Sequence, residues 1–157
     1  MYNHAPNGYE CPFCQIAAGV DNGLTAPADV VCRDEWTTAF VASHWWLNNA
    51  GHVIVIPNQH IENIYDMPAD IAARVHETAR QAAIALKRVY RCDGVSTRQH
   101  NEPAGDQEVW HYHLHVFPRY ANDYLYDLTF HRRQTTPDER RPYAERLRMH
   151  FASLVGG

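Results

Sequence analysis

An α+β domain built on one mostly antiparallel sheet is the fold that this sequence predicts. Three observations favour it: short runs of β-branched and aromatic residues follow one another, a long amphipathic helical pattern lies between them, and a second helical pattern ends the chain. With 157 residues, of which 45% are hydrophobic, the chain has enough apolar side chains for one core. We therefore predict a single domain over residues 1–157, with a core at residues 10–120 and a C-terminal extension with a helix at residues 121–157.

The first predicted strands are a hairpin and a central strand. Residues 30–33 and 36–42 are β-rich runs separated by the polar pair Asp34 and Glu35, which is typical of a hairpin. Residues 51–57 contain the apolar run Val-Ile-Val-Ile and end at a proline. A fully apolar run of this length suits a central strand that is buried on both faces.

The long helix is predicted at residues 68–91. Apolar and small residues recur there at intervals of three and four with charged residues opposite, and the pair Asp93 and Gly94 ends the pattern. Residues 94–99 and 110–118 are then two further strands. The helix is therefore inserted between the third and fourth of five strands.

The second helix begins with a recognisable capping pattern. Thr136 is a good cap, Pro137 suits the first helical position, and Glu139 stands three residues after the cap, as in a capping box. Its predicted buried stripe consists of Leu147, Phe151 and Leu154.

Charge and hydropathy limit the possible partners. The formal charge is −4, and Lys87 is the only lysine, so we expect no long nucleic acid as a ligand. Arginines do gather towards the C-terminus, but acidic residues are interleaved with them, which favours a solvated helix face; they are Arg132, Arg133, Arg140, Arg141, Arg146 and Arg148. Residues 1–20 hold no apolar run after a basic start, so we expect no secretory signal, and no apolar stretch approaches the ~20 residues that span a bilayer. The sequence thus predicts a soluble, cytoplasmic protein without a membrane partner.

Histidine is the compositional outlier, with 11 copies. His111, His113 and His115 alternate with apolar residues in a predicted strand, so their side chains should share one face at intervals of about 6.5–7 Å. That spacing can span a phosphate group but cannot close a tetrahedral metal site by itself. A neutral imidazole is a nucleophile near neutral pH and can attack phosphorus. The alternative is a polar strand face whose histidines only form hydrogen bonds.

The segment from His111 to Phe117 has the pattern His-φ-His-φ-His-φ-φ, where φ is apolar, and it resembles the signature of the histidine triad family. The resemblance extends to residues 101–107 before the segment and 118–120 after it. It also includes residues 51–57, 60–63 and 11–16, so that it covers roughly residues 10–120. It is closest to the zinc-containing branch of nucleotide hydrolases.

What the resemblance implies is a five-stranded sheet continued across a homodimer and a hydrolase acting at the α-phosphate of a nucleotide. Substrates would be nucleoside phosphoramidates, acyl-adenylates or dinucleoside polyphosphates. His113 would form a covalent nucleotidyl-histidine, while His115 would stabilise the charge on the phosphate. Amide donors near the phosphate would be Asn101 and Gln107, and the nucleobase pocket would be lined by Phe13, Ile16 and Phe40. The alternatives are transfer of the nucleotide to an acceptor other than water, and a weakly catalytic binding or interaction module.

Cys11 and Cys14 form a CxxC pair that lacks a second such pair. From spacing alone it indicates a zinc half-site, a redox dithiol or unligated thiols, and Cys32 and Cys92 are expected to be small buried residues. The resemblance implies that His60 and His111 complete a structural Cys2His2 zinc site.

The sequence departs from the family pattern in two places. Residues 40–46 carry no carboxylate where relatives bind the ribose hydroxyls, so Ser43 or His44 would have to substitute. Glu108 stands where relatives have a hydroxyl beside the leaving group, and its charge would repel a phosphate unless it were protonated or turned away. Two interpretations remain for the pair Trp45 and Trp46, a stacking platform or a packing corner, and packing is favoured. His52 is expected to support the site or to pack, and the remaining assigned histidines are expected at the surface; these are His4, His44, His76, His131 and His150.

Overall fold

A five-stranded antiparallel sheet forms the centre of the computed structural model, which describes residues 2–128 and 131–155. In chain order the strands are β1 (Val30–Arg33), β2 (Thr37–Val41), β3 (His44–Trp46), β4 (Val53–Pro57), β5 (Gly94–Gln99), β6 (Leu114–Arg119) and β7 (Arg132–Gln134). The helices are α1 (Pro12–Ala17), α2 (Ala69–Tyr90) and α3 (Pro137–Val155). The main sheet has the order β1-β2-β4-β6-β5, and all its neighbours are antiparallel, which confirms the predicted fold class.

The two faces of the sheet are covered by different elements. Alternate residues of β2 and β4 point to opposite sides, as the pleat requires. Val53 and Val55 pack with α2 and α3, whereas Ile54 and Ile56 pack with α1 and the N-terminal segment. Both strands are therefore buried throughout, and the prediction of a central strand at residues 51–57 is confirmed.

The strand that carries the triad begins later than predicted, at Leu114 rather than at residue 110. Leu114 pairs with Val55, so the next residues upstream lie beside Pro57, which has no N–H to continue the ladder. Tyr112 instead donates its N–H to the carbonyl of Ile61 at 2.6 Å. His111 and His113 therefore precede the regular strand.

The C-terminal helix has the predicted cap. The hydroxyl of Thr136 accepts from the N–H of Glu139 at 3.3 Å, and the carboxylate of Glu139 accepts from the N–H of Thr136 at 2.8 Å. Leu147 and Phe151 are buried as predicted. The prediction for Leu154 is wrong, because this residue lies in the last turn beyond the core and is 49% exposed.

Arg140 contradicts the prediction that the C-terminal arginines form only a solvated face. Its side chain is 2% exposed. Its guanidinium donates to both carboxylate oxygens of Asp29, at 2.8 and 3.0 Å, and to the carbonyls of Thr135 and Leu24. A buried arginine is tolerated here because its charge and its donors are satisfied together.

Among these helices and strands, three were not predicted: α1, β3 and β7. The short helix α1 begins at Pro12, with Cys11 as its cap, and β3 pairs with β7 in a separate two-stranded sheet. That small sheet ties the C-terminal segment to the loop that follows β2. Cys92 is buried as expected, whereas Cys32 is only partly buried, since it lies on the edge strand β1. No helix in the described ranges is long and apolar enough to cross a membrane.

Candidate active site and metal centre

A cavity of about 760 Å³ opens on the side of the sheet that carries α1. His113 and His115 line it, together with Phe13 and Phe40. The ring centres of His113 and His115 are 5.1 Å apart, closer than the predicted spacing, and His113 lies 5.1 Å from the ring of Phe13. The cavity therefore joins the triad to an aromatic wall.

His113 is held in one tautomer by the backbone. Its Nδ1 lies 2.7 Å from the carbonyl oxygen of His111, and because a carbonyl only accepts, Nδ1 must carry the proton. The lone pair is then on Nε2. The side chain is only 6% exposed, and its burial lowers the pKa of His113 to about 4. The imidazole is consequently neutral and nucleophilic near neutral pH.

His115 is paired with His52. The Nδ1 of His115 lies 3.2 Å from the Nε2 of His52, and the ring of His52 stacks on Phe117 at 4.5 Å. Burial lowers the pKa of His52 to about 3 and the pKa of His115 well below its usual range, so one proton is shared between the facing nitrogens.

Which of the two histidines donates this hydrogen bond can be inferred from the other ring nitrogen of His52. Its Nδ1 is buried and has no hydrogen-bond partner among the residues described. An unpartnered N–H is rarer in protein interiors than an under-satisfied acceptor, so the favoured arrangement has His52 donating from Nε2. His115 then accepts at Nδ1 and carries its own proton on Nε2. His115 is thereby prepared as a hydrogen-bond donor.

A cluster of two cysteines and two histidines lies beside the cavity. The four ligand atoms of Cys11, Cys14, His60 and His111 all lie within 4.8 Å of one another. Cys11 Sγ is 3.3 Å from His111 Nδ1, and Cys14 Sγ is 3.3 Å from His60 Nδ1 and 3.6 Å from His111 Nδ1. Tetrahedral zinc with ordinary bond lengths would separate sulfur from nitrogen by about 3.6 Å. The donor set and its spacing therefore fit zinc.

Local structure explains how the four donors meet. Cys11 caps α1, and its Sγ accepts from the N–H of Cys14, which turns both sulfurs to one side. The Nε2 of His111 donates to the carbonyl of Pro57 at 2.9 Å, which leaves Nδ1 free to bind a metal. Burial and the neighbouring Cys11 raise the pKa of the Cys14 thiol to about 12, so without a cation it would stay protonated.

Asn101 and Gln107 lie near the triad in the loop between β5 and β6 but do not line the cavity. Asn101 Oδ1 accepts from the N–H of Ile64 at 2.8 Å. Gln107 Nε2 donates to the carbonyl of Glu62 at 2.7 Å, and its Oε1 accepts from the N–H of Glu102 at 2.8 Å. Both amides thus connect this loop to the segment after β4.

Of the three residues expected to line the nucleobase pocket, two line the cavity and one does not. Phe13 and Phe40 line the cavity with ring centres 5.5 Å apart. Ile16 is fully buried in the cluster behind them and does not line the cavity. Its contribution is to support the aromatic wall.

Several residues that line the cavity were missed or misplaced by the sequence reasoning. His44 was expected at the surface, yet it lines the cavity, and its Nδ1 is 3.1 Å from the hydroxyl of Ser43. The packing interpretation holds for both tryptophans, because Trp45 lies in the main core and Trp46 packs with Phe117 and Leu125, but Trp46 also forms part of the cavity wall. The cavity is also lined by three residues that were not singled out, Arg98, His100 and Asp106, and by Arg132, which was assigned to a solvated helix face. Alternation along β5 relative to the triad strand is the signal that would have identified Arg98.

Glu108, which was expected to repel a phosphate, is neutralised by an ion pair with Arg132. Arg132 comes from β7, which is part of the segment treated as an extension. No local sequence pattern connects two residues 24 positions apart in different loops.

Comparisons with known proteins agree with this geometry. The family model for the HIT domain matches residues 24–122. The "Protein hit" of Bacillus subtilis is 34% identical over 111 residues, which cover 71% of this chain and 72% of that protein. The adenylylsulfatase HINT3 of Arabidopsis thaliana is 25% identical over 147 residues, covering 92% of this chain and 71% of that protein.

Solved structures give the same answer. A zinc-bound histidine triad family protein from Mycobacterium smegmatis matches with a TM-score of 0.75 and 29% identity, covering 93% of this chain and 96% of that one. The residues that match the family model include all five strands of the main sheet and the three alternating histidines. The chain therefore belongs to the histidine triad (HIT) family.

Proposed function

We propose that this protein is a nucleotide hydrolase that cleaves at the α-phosphate through a covalent intermediate on His113. The observation that carries the proposal is the hydrogen bond from His113 Nδ1 to the His111 carbonyl, which leaves Nε2 unprotonated in a residue that lines the cavity. Candidate substrates are nucleoside phosphoramidates, acyl-adenylates and dinucleoside polyphosphates, and the adenylylsulfatase relative adds adenylyl sulfate to this group.

The reaction would proceed in two displacements. Nε2 of His113 attacks the α-phosphorus, and the bond from phosphorus to the leaving group breaks. The Nε2–H of His115 donates to the phosphate oxygens or to the departing atom as negative charge develops there. Water then attacks the same phosphorus, the bond to His113 Nε2 breaks, and the nucleoside monophosphate leaves.

His52 acts through His115 rather than on the substrate. By donating to His115 Nδ1 it fixes the tautomer in which the proton of His115 faces outwards. Because His52 is buried and neutral, it adds no charge that would compete with the phosphate.

The nucleoside would lie against the aromatic wall of Phe13 and Phe40. The hydroxyl of Ser43 and the imidazole of His44 are the polar groups of the cavity that follow β2, and we assign them to the ribose hydroxyls. The predicted donation of Asn101 and Gln107 to the phosphate stays a prediction. Their present hydrogen bonds support a role in shaping the loop between β5 and β6.

We further propose that Cys11, Cys14, His60 and His111 bind one structural zinc ion. All four positions of a tetrahedron would be filled by the chain, so the metal would provide cross-linking and no open position for a substrate. The expected result of metal analysis is about one zinc per chain, falling sharply in Cys14→Ser with a matched Cys92→Ser control that retains it. Equal zinc in both variants would refute the ligand set.

A homodimer joined through the sheet fits the exposed edge strand β5. A groove of about 570 Å³ with largely apolar walls lies beside this edge, between α2 and β5. Analytical ultracentrifugation should give twice the chain mass, whereas a monomer at micromolar concentration would contradict the assembly. Four cysteines without a disulfide support a reducing compartment such as the cytoplasm.

The deciding experiment measures release of AMP from adenosine 5′-phosphoramidate and from a diadenosine polyphosphate. His113→Ala should lower the rate by about 1,000-fold or more, because it removes the nucleophile. His131→Ala, at an exposed position that does not line the cavity, is the matched control and should retain full activity. Equal rates in wild type and His113→Ala would refute the nucleophile assignment.

The same assay separates hydrolysis from transfer. Rapid quenching should trap a nucleotide on wild-type protein, and the adduct should decay in water alone. An adduct that persists until an alcohol or amine acceptor is added would identify a transferase, and no adduct and no AMP would identify a binding module.

A further inference from the structure

The side chains along the triad strand show that the two ends of the cavity differ in chemistry. Phe13 contacts His113, His113 contacts His115, and His115 stacks on Phe117 with ring centres 5.5 Å apart. The guanidinium of Arg98 lies over the ring of Phe117 at 4.9 Å. Beyond the nucleophile, as seen from the aromatic wall, the cavity is therefore basic. If the nucleoside occupies the aromatic side, the leaving group departs on the side of Arg98.

Arg98 is fixed in place without a partner for its charge. β5 pairs with β6 so that Arg98 is opposite His115, and the guanidinium carbon lies 4.7 Å above the ring of Trp46. Its Nε is buried, and within residues 2–128 and 131–155 its guanidinium forms no hydrogen bond or ion pair. Stacking between Trp46 and Phe117 holds the planar group still and leaves its donors to be satisfied by something else.

The charged neighbours of Arg98 do not supply that partner. Arg132 approaches the same ring of Trp46, at 5.9 Å, and its charge disfavours a second cation nearby. Glu108 is already paired with Arg132, and Asp106 lies on the cavity wall without an ion pair to Arg98. Burial, the largest cause, and the charge of Arg132 lower the pKa of Arg98, whereas Tyr126 and Asp106 act in the opposite direction. An anion bound between Arg98 and Arg132 would reduce the repulsion between the two cations and would favour the charged form of Arg98.

We propose that Arg98, assisted by Arg132, forms an anion subsite for the leaving group, so that the preferred substrates are nucleotides whose leaving group carries its own phosphoryl or sulfuryl charge. This inference rests on the proposed nucleotide function and makes it more specific. A guanidinium binds two oxygens of such a group through parallel hydrogen bonds. A neutral amine leaving group, as in a phosphoramidate, would gain nothing from Arg98.

The test compares the binding of AMP and ADP by calorimetry, since ADP adds one phosphate on the side of the α-phosphate opposite the nucleoside. Wild type should bind ADP about 10- to 100-fold more tightly than AMP, as expected for hydrogen bonds to a charged group. Arg98→Met should bring the two affinities to within about threefold, while Arg98→Lys should restore part of the preference. The matched control is Arg88→Met on the exposed face of α2, which should retain the wild-type ratio.

The possible outcomes separate this proposal from the function on which it rests. If wild type binds AMP and ADP equally, or if Arg98→Met keeps the wild-type ratio, the anion subsite is refuted while the nucleotide site stands. If wild type binds neither nucleotide, both proposals fail. Should circular dichroism show that Arg98→Met is unfolded, Arg132→Met decides, because its side chain is 40% exposed. That variant should lower the ratio at least threefold, and an unchanged ratio would overturn the subsite.

Discussion

Replacing His52 by glutamine should make the protein less sensitive to acid, because a buried neutral imidazole opposes folding at low pH. His52 is fully buried, and burial lowers its pKa from 6.5 to about 3. Between these values the unfolded chain binds a proton at this position and the folded chain does not. Stability therefore falls as the pH drops below 6.5 and is fully present above it.

The size of the effect follows from the proton uptake. Between pH 7.5 and 5.0 an unfolded imidazole with a pKa of 6.5 gains about 2 kcal/mol from protonation, and a folded group with a pKa near 3 gains almost nothing. Wild type should lose this amount at His52, in addition to the losses at His113 and His115. His52→Gln keeps an N–H to donate to His115 but cannot titrate, so its loss should be smaller by about 2 kcal/mol.

The assay is urea unfolding at pH 7.5 and pH 5.0, with the difference in unfolding free energy as the readout. His131→Gln, at an exposed position outside the helices and strands, is the control and should show the wild-type loss. Comparing the two losses removes any effect of the substitution itself at neutral pH. If wild type and His52→Gln lose the same free energy to within about 0.5 kcal/mol, His52 is not held neutral by the fold.

Two further predictions concern stability. Arg140→Met leaves a buried carboxylate unpaired and should cost about 3–5 kcal/mol, or a fall in melting temperature of about 6–20 °C, whereas the exposed Arg141→Met should stay within about 0.5 kcal/mol of wild type. Similar losses in both variants would contradict the account of the buried pair. Gly51→Ala places a Cβ 2.3 Å from Cδ1 of Tyr143 at a φ of +74°, while Gly23→Ala has a φ of +82° and nothing within 4 Å. Thermal unfolding should therefore show a loss larger by about 1–3 kcal/mol for Gly51→Ala, and equal losses would mean that the contact relaxes freely.

The main sheet could be predicted because its signals are local. The β-rich run of β2, the cap at Thr136 and the fully apolar run that ends at Pro57 each depend on residues close together in the chain. The resemblance to the histidine triad family supplied what local patterns could not. It brought together four cysteine and histidine residues that lie up to 100 positions apart, and their ligand atoms do meet in the structure.

The rest depended on long-range pairing that no pattern encodes. Arg140 finds Asp29 at a separation of 111 residues, and Arg132 reaches the cavity because β7 pairs with β3. Both arginines come from a segment whose charge pattern is that of a solvated helix. Arg98 was overlooked for a different reason: one cation in an amphipathic edge strand is unremarkable until the register places it opposite His115.

Because β6 begins only at Leu114, His111 can contact both the cluster of two cysteines and two histidines and His113, the proposed nucleophile. Because Pro57 cannot continue the ladder, His111 lies outside the strand, where its Nε2 donates to the Pro57 carbonyl and its Nδ1 faces the two cysteines. The backbone carbonyl of the same residue accepts the proton of His113 Nδ1 and so determines where the lone pair of His113 lies. His111 is thus held at its Nε2, its Nδ1 and its backbone carbonyl, and the carbonyl contact determines the tautomer of His113. On this view the cluster and the triad are not separate features: the residue that would complete the proposed metal centre also orients the proposed nucleophile.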